Sequence, residues 1–381
     1  MAASKRIHWG RQYTHLPPLN LNYIQLDSWQ WFLTAGIPTN LAEISPIEDF
    51  TGKNWLLKFG EHSLDQPTLT PHVCQRKGLT YSASLHISAQ LTNKQTGKTT
   101  AGDVYLGELP QMTDRGTFII NGVERAVINQ IVRSPGAYFG AELDVASGRL
   151  LHTAELRPIR GTWLEFEISR SNVVSVRIDR RRKFVVTVLL KAMGLSDPEA
   201  LAQLFASADT HSDHRYLEAT LAKDPTKSTQ EALIEIYKKM RPGEPIVLEN
   251  AQRLMYDLFF NPRRYDLGQV GRYKLNKRLN ITSDSLILTR DDLVATISYL
   301  IGLQNGQGKI DDIDHLGNRR LRRVGELVSQ TAFRDGLLRL ERAIKEKMSL
   351  VSPEDLITPA MLVNARPVIA AINEFFRSSQ L

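Results

Sequence analysis

The sequence predicts an α+β chain with more than one domain, on three observations. Between Trp55 and Glu108, and again between Leu150 and Asp179, apolar and polar residues alternate, which is the period of half-buried strands. From about 186 to 303, and beyond 318, apolar residues recur at three and four, the period of amphipathic helices. At 381 residues with 42% hydrophobic content, the chain has length for two or more domains with real cores.

Residues 1 to about 20 read as a loose arm ending in Leu16-Pro17-Pro18. Residues 23–36 place Ile24, Leu26, Trp29, Phe32 and Leu33 at near-helical spacing, and Gly36 and Pro38 are expected to stop that helix. Trp29 and Trp31 read as core rather than as base-stacking residues, because aromatics at helical spacing usually pack inward. SASLHISAQL (82–91) alternates as a strand, and NKQTGK reads as the hairpin tip before a return strand.

The organising stretch is Leu106–Tyr138. Phe118-Ile119-Ile120 meets Asn121-Gly122, and a second run, Val123 to Ile131, follows. Both central residues of a type I′ turn need positive φ, so Asn-Gly here predicts a tight hairpin. Arg115, Arg125 and Arg133 gather around it with the amides of Asn129 and Gln130, and Arg133-Ser134-Pro135-Gly136 closes the stretch with a turn. A core hairpin with a solvated polar edge accounts for the same composition.

Further on, Trp163 to Ile168 is an alternating strand, and the basic run Arg180-Arg181-Arg182-Lys183 follows the next one. Such a run is commonly a solvated face; Asp179 beside it is placed to fix the first arginine. Helices are expected at 198–207, 229–240, 248–260 and 290–303. Asp197, Ser228 or Thr229, and Thr289 are their candidate caps. The segment 205–228 is polar and reads as an insertion. Its His211 and His214 lack a helix to hold them and a third ligand, so no metal site is expected. A long amphipathic helix is expected at about 318–348, where Gly325 and Gly336 imply close packing. Arg319, Arg320, Arg322 and Arg323 would crowd its first turns against the macrodipole, which favours a phosphate or base contact as their reason. A shorter helix, Pro367 to Phe376, ends the pattern.

Several function classes are excluded or disfavoured. The apolar runs are short and broken by charge, and MAASKRIHWGRQYTH has no signal core, so a cytoplasmic location is expected. A lone cysteine, Cys74, rules out an internal disulfide and a cysteine-cluster zinc site. There is no Gly-rich phosphate loop, HExxH, GxSxG or Asp-rich magnesium cluster, so no catalytic residue is assigned. A net charge of +7 favours an anionic partner.

LPQMTDRGTFIINGVERAVINQIVRSPGAYF resembles the hallmark segment of the β subunit of bacterial-type multisubunit DNA-directed RNA polymerase. RGTWLEFEI, VRIDRRRKF, MRPGEP, RYDLGQVGRYKLNKRL, DDIDHLGNRRLRRVGEL and EFFRSSQL follow in the family's order. The resemblance covers the N-terminal third or so of such a subunit, which implies a fragment. It implies a discontinuous protrusion domain, 1–132 and 319–381, with a lobe, 133–318, inserted. It implies one wall of the DNA cleft, contacting downstream DNA and the nontemplate strand. Implied partners are DNA, nascent RNA, the β′, α and ω subunits, sigma and other transcription factors. Magnesium would belong to β′, leaving no cofactor here. Lys98–Gly102 lies where many relatives carry a charged factor-docking patch, and this sequence departs from that pattern.

The resemblance also implies two sites. A pocket for an unpaired guanine of the nontemplate strand matches Arg133, Trp163, Asp179, Arg180, Ile313, Asp314 and Arg319. Carboxylate and guanidinium suit a guanine edge, and an indole suits stacking. A helix cap or a salt bridge to Arg319 is the plainer account of Asp314. The rifamycin-binding, RNA-adjacent floor matches Arg125, Gln130, Gln380 and Leu381, with Arg377 where relatives usually have glycine. The rivals are a stand-alone nucleic-acid binder and a module that docks transcription factors without touching DNA.

Overall fold

The computed structural model describes residues 20–211, 215–352 and 357–377. The chain opens with α1 (Tyr23–Trp31), a widened turn over Phe32–Gly36, and α2 (Ile37–Ile44). The helix therefore does not stop at Gly36 and Pro38 as expected. A π-type turn absorbs the amide that proline lacks, and the helix resumes with Pro38 at its second position. Trp29 is core at 5% exposure, but Trp31 is 43% exposed, against the inward placement expected of both.

β1 (Ile47–Glu48), β2 (Trp55–Leu64), β3 (Ser82–Asn93) and β4 (Thr99–Pro110) form one antiparallel sheet in that order, with α3 (Pro71–Lys77) between β2 and β3. Leu85, Ile87, Ala89 and Leu91 alternate inward along β3, which is why its sequence reads so clearly. β5 (Phe118–Ile120) and β6 (Val123–Arg125) pair around Asn121 (φ 50°) and Gly122 (φ 80°), the tight hairpin expected. The second arm ends at Arg125, short of Ile131. The chain instead restarts as β7 (Gln130–Arg133).

Next comes a five-stranded antiparallel sheet: β8 (Gly136–Leu143), β9 (Leu150–Arg157), β10 (Leu164–Ile168), β11 (Val174–Ile178) and β12 (Lys183–Val185), adjacent in sequence order. One face carries Phe139, Ala154, Leu156, Leu164, Phe166, Val176 and Ile178. This face joins the core formed with helices α4 (Val186–Ala192), α5 (Pro198–Phe205), α6 (Tyr216–Ala222), α7 (Thr229–Met240), α8 (Leu248–Met255), α9 (Gly268–Leu279) and α10 (Arg290–Gln304). Asp197, Ser228 and Thr289 cap α5, α7 and α10 through their side chains, and Thr289 with Asp292 closes a capping box. The segment read as a polar insertion contains α6, whose Tyr216 and Leu217 are buried in this core. Burial of those two side chains overrides the low local hydrophobicity.

The expected 318–348 helix is also corrected. Arg319–Arg322 form strand β13, paired with β7. Helix begins only at α11 (Val324–Leu327), passes a widened turn over Val328–Phe333 and continues as α12 (Arg334–Leu350). α13 (Pro359–Leu362) and α14 (Arg366–Arg377) complete the described chain. The glycine inference holds: a Cβ on Gly325 would sit 2.0 Å from the Ser28 carbonyl oxygen, and one on Gly336 2.9 Å from the Val368 Cα.

The chain divides into two compact units, one of residues 1–130 with 321–381 and one of Ile131–Arg320. The first is centred on a cluster of aromatic rings. Trp29 meets Phe118 edge-on at 5.0 Å, Phe118 meets Phe376 at 4.9 Å, and Phe32 meets Phe333 at 5.8 Å. Among the described residues no helix is long and apolar enough to cross a membrane, and no group of three His, Cys, Asp or Glu could hold a metal ion.

Candidate nucleic-acid interface

All seven residues of the guanine-pocket expectation lie in the second unit: Trp163, Asp179 and Arg180 just outside β10 and β11, Arg133 in β7, Ile313 and Asp314 in the loop after α10, and Arg319 in β13. Strand alternation supplies the neighbouring polar face of the five-stranded sheet, the one that is not in the core. The register pairs Tyr138 with Glu155, Glu155 with Glu165, Glu165 with Arg177, and Arg177 with Lys183, one row of polar side chains across all five strands. Only Glu165 and Arg177 oppose each other with opposite charge; Glu155 faces Glu165 and Arg177 faces Lys183, and both of those cations pair diagonally with Glu167 instead.

Trp163 precedes β10 at the end of this face. Its backbone N–H donates to the Asp179 carboxylate at 2.9 Å, and the Asp179 N–H returns a bond to the Trp163 carbonyl at 3.0 Å. Asp179 and Arg180 both have positive φ, 49° and 56°, and the Arg181 N–H donates to the Ile178 carbonyl. The turn is the tight I′ geometry that joins twisted strands. It sends the Arg180 guanidinium back over the Trp163 ring, 5.1 Å from its centroid, and onto Glu165 at 3.1 Å. The expectation that Asp179 fixes Arg180 is therefore corrected. Asp179 is committed to the Trp163 backbone, and Glu165 on the adjacent strand β10 holds the arginine.

Arg133 lies in β7 and pairs with Glu155. The same Glu155 oxygen accepts from Arg157 Nε at 2.8 Å, and the Arg157 guanidinium sits 4.1 Å from the Trp163 centroid. A continuous chain of contacts thus joins Arg133, Glu155, Arg157, Trp163, Arg180 and Glu165. The expectation that Arg133 joins the β5–β6 hairpin fails, because its charge is held on the sheet.

Ile313 and Asp314 lie on the loop after α10, which leads into Arg319 at the start of β13 and is fastened to β8 and its approach at several points. The Phe139 N–H donates to the Asp311 carboxylate at 2.9 Å, and the Asp311 N–H donates to the Phe139 carbonyl at 2.7 Å. The Ser134 N–H donates to the Asn318 carbonyl at 2.9 Å, and Lys274 Nζ donates to the Gly317 carbonyl at 2.7 Å. Lys274 also lies over Tyr138, whose hydroxyl donates to the Ser134 carbonyl. Burial raises the Tyr138 phenol above its ordinary value, against its hydrogen bond to Ser134 and the charge of Arg133. Burial lowers the Lys274 ammonium, against the attraction of Asp311. Asp314 is ion-paired with Arg319, the plainer account weighed above, while its side chain remains 81% exposed. The loop is therefore tied to the strands that flank Arg133. Its acidic residue is joined to Arg319, not to Trp163, Asp179 or Arg180.

Beyond the turn, Arg182, Lys238, Lys239 and Arg241 line a groove of about 470 Å³ with Glu235 and Glu244. Those two acids are paired with Lys239 and Arg241, each at 3.0 Å, and Arg182 and Lys238 carry no ion pair among the described residues. Of the RNA-adjacent floor, Arg125 lies in β6 and Gln130 in β7; Gln380 and Leu381 lie outside the described residues, as do 212–214 of the histidine segment. Arg377 is exposed at the end of α14.

Glu155, Arg157, Glu165 and Lys274 were not singled out from sequence. Alternation could have put Glu155 and Arg157 on one face, but only the β8–β9–β10 register shows what they touch.

An indole flanked by two guanidiniums at the end of this sheet has the residue types that suit stacking on a base and pairing with phosphate. Residues 133–322 match the family described as RNA polymerase Rpb2, domain 2. The chain is 47% identical, over 94% of its length, to the DNA-directed RNA polymerase subunit beta of Chloroflexus aggregans. It is 50% identical over 94% to that of Gloeobacter violaceus and 49% over 97% to that of Synechocystis. It belongs to this β-subunit family. It spans 32–33%, about a third, of the length of these relatives.

Proposed function

We propose that this chain works within a multisubunit DNA-directed RNA polymerase as one wall of the DNA cleft, contacting downstream DNA and the nontemplate strand. In this reading the unit Ile131–Arg320 is the lobe and the other unit the protrusion. Magnesium and the chemistry of nucleotide addition reside in β′. The working partners are DNA, nascent RNA, the β′, α and ω subunits and sigma, in the cytoplasm.

The observation that carries this reading is the pairing of two kinds of recognition chemistry on one unit. Trp163 and its guanidiniums offer a stacking and phosphate-binding surface. The exposed Asp314 carboxylate and the Arg319 guanidinium offer an acceptor and donors for a base edge. Arg133 joins the two through Glu155 on one side and the Ser134–Asn318 bond on the other. Arg125 and Gln130, with Gln380 and Leu381, belong in this reading to the RNA-adjacent floor.

The test uses the native protein carrying this sequence, with the subunits that accompany it. Strands that differ only in guanine or adenine at one unpaired position are compared. Asp314→Ala or Arg319→Ala is expected to remove about 1–3 kcal/mol of guanine preference. Equal affinity of the wild type for both strands would sink the proposal.

A further inference from the structure

The Trp163 indole is not a free platform. Arg157, from the neighbouring strand, lies 4.1 Å from its centroid, closer than Arg180 at 5.1 Å. Arg157 and Trp163 are adjacent across the β9–β10 ladder, one step beyond the Leu156–Leu164 pair. The Arg157 side chain is only 12% exposed, so its charge is largely withdrawn from water. Withdrawal of a guanidinium needs a fixed acceptor, and Glu155 supplies one at 2.8 Å. The same Glu155 oxygen also takes Arg133.

The arrangement gives Trp163 two independent restraints. Its backbone is tied to Asp179, and its ring is held by a guanidinium whose own position is set by Glu155. A stacking side chain loses rotamer freedom when a base lands on it, and a ring already clamped has less to lose. Glu155 also makes Arg133 and Arg157 share one carboxylate, so the placement of a base-edge donor and of the stacking ring is set by one group.

We propose that Arg157 is a positioning residue for base recognition: held by Glu155, it fixes the Trp163 ring in the orientation that receives an unpaired base. This rests on the strand-binding reading above and deepens it. Arg157 acts through Trp163 and needs no contact with the base.

The test uses the native protein with its accompanying subunits and two readouts. The first is the affinity ratio between a strand bearing an unpaired base and the same strand abasic at that position, because stacking on an indole adds affinity without choosing among bases. The second, independent of any strand, is hydroxyl-radical oxidation of the Trp163 peptide, read by mass spectrometry. Arg157→Ala is expected to raise Trp163 oxidation severalfold and to cut the affinity ratio by roughly threefold to thirtyfold, the span of a partly desolvated cation–π contact. Arg157→Lys, which keeps the charge, is expected to restore much of both. Glu155→Gln should raise oxidation in the same direction, because Arg157 then loses its anchor.

Oxidation unchanged in Arg157→Ala overturns the clamp. Oxidation raised with the base ratio intact overturns the positioning role, leaving Arg157 a mere cover. A wild type that favours the base-bearing strand, with an Arg157→Ala variant that favours it equally, therefore sinks this inference alone. A wild type that binds base-bearing and abasic strands equally sinks the stacking part of the strand-binding reading, and the positioning role with it.

Discussion

Removing the Arg272 guanidinium should be among the most damaging single changes in the unit that carries the interface. Arg272 on α9 makes a two-point ion pair with Asp292 of α10, at 2.6 and 3.0 Å, with side chains only 5% and 0% exposed. It also donates to the carbonyls of Ser285 and of Ile287, the latter at 2.8 Å. Arg272→Met keeps most of the volume and removes only the charge and donors. Asp292 would then be a buried carboxylate left with the Thr289 N–H, at 2.8 Å, as its donor. Breaking one side of such a pair costs about 3–5 kcal/mol, more than the pair's own net contribution, because the survivor's charge stays buried. With a urea slope of about 2 kcal/mol per molar, the midpoint should fall by roughly 1.5–2.5 M. Urea titration by circular dichroism measures it, and hydrogen exchange of peptides across 264–304 assigns the loss to this unit. Adding Asp292→Asn removes the stranded charge while leaving an amide oxygen able to cap α10, so the double variant should recover part of the loss. A midpoint within about 0.3 M of wild type for Arg272→Met would refute the reasoning, since an uncompensated buried carboxylate cannot cost so little.

Three further outcomes are expected. Gly325→Ala would drive a Cβ to 2.0 Å from the Ser28 carbonyl, so its cost should reach or exceed the usual overpacking range of about 1–3 kcal/mol. Gly102→Ala, which meets nothing within 4 Å, is the near-neutral control, and thermal melting compares the two. Burial disfavours the Asp49 carboxylate, but the Thr51 hydroxyl and the amides of Trp55, Asn54 and Thr51 outweigh it and hold its value below 3.8. The stability it contributes is therefore full above pH 3.8 and lost as pH falls through the lower folded value; Asp49→Asn should lose that part of the acid dependence in denaturant titrations across pH. For Lys274, whose value is lowered in the fold by burial, the slope has the same sign but comes from a penalty on the charged form: stability rises with pH between the folded value and 10.5, and Lys274→Met should flatten that rise while speeding hydrogen exchange in 312–318.

The parts of the fold legible in the sequence are those fixed by nearest neighbours. Strand alternation in β3 and β10, the Asn121-Gly122 turn and the caps at Asp197, Ser228 and Thr289 each need only a few consecutive residues, and each appears where expected. What was not legible depends on distant partners. Arg319–Arg322 read as the start of a helix because Val324 to Met348 is periodic, yet these four residues become a strand because β7 is there to pair with them. Pro38 stops most helices, but here a widened turn carries the helix past it. The polar stretch after Phe205 hides α6, because Tyr216 and Leu217 are few but completely used.

The candidate interface follows the same division. Its residue types could be named from the chain, whereas its wiring could not. Asp179 beside Arg180 suggested an ion pair between neighbours, but two consecutive positive-φ residues turn the carboxylate toward Trp163 and the guanidinium toward Glu165. This has a consequence for selectivity. A run of four unrestrained cations would attract any phosphate, with affinity that collapses in salt and no choice among bases. On this face Glu155, Glu165 and Glu167 hold Arg133, Arg157, Arg180, Arg177 and Lys183, each on a strand or turn of fixed register. Neutralising these charges lowers non-specific attraction and leaves geometry to discriminate, while Arg182 and Lys238 in the neighbouring groove remain for the phosphate backbone. Under the proposed function, carboxylates that look like an obstacle to nucleic-acid binding are thus what would let geometry rather than net charge choose among bases.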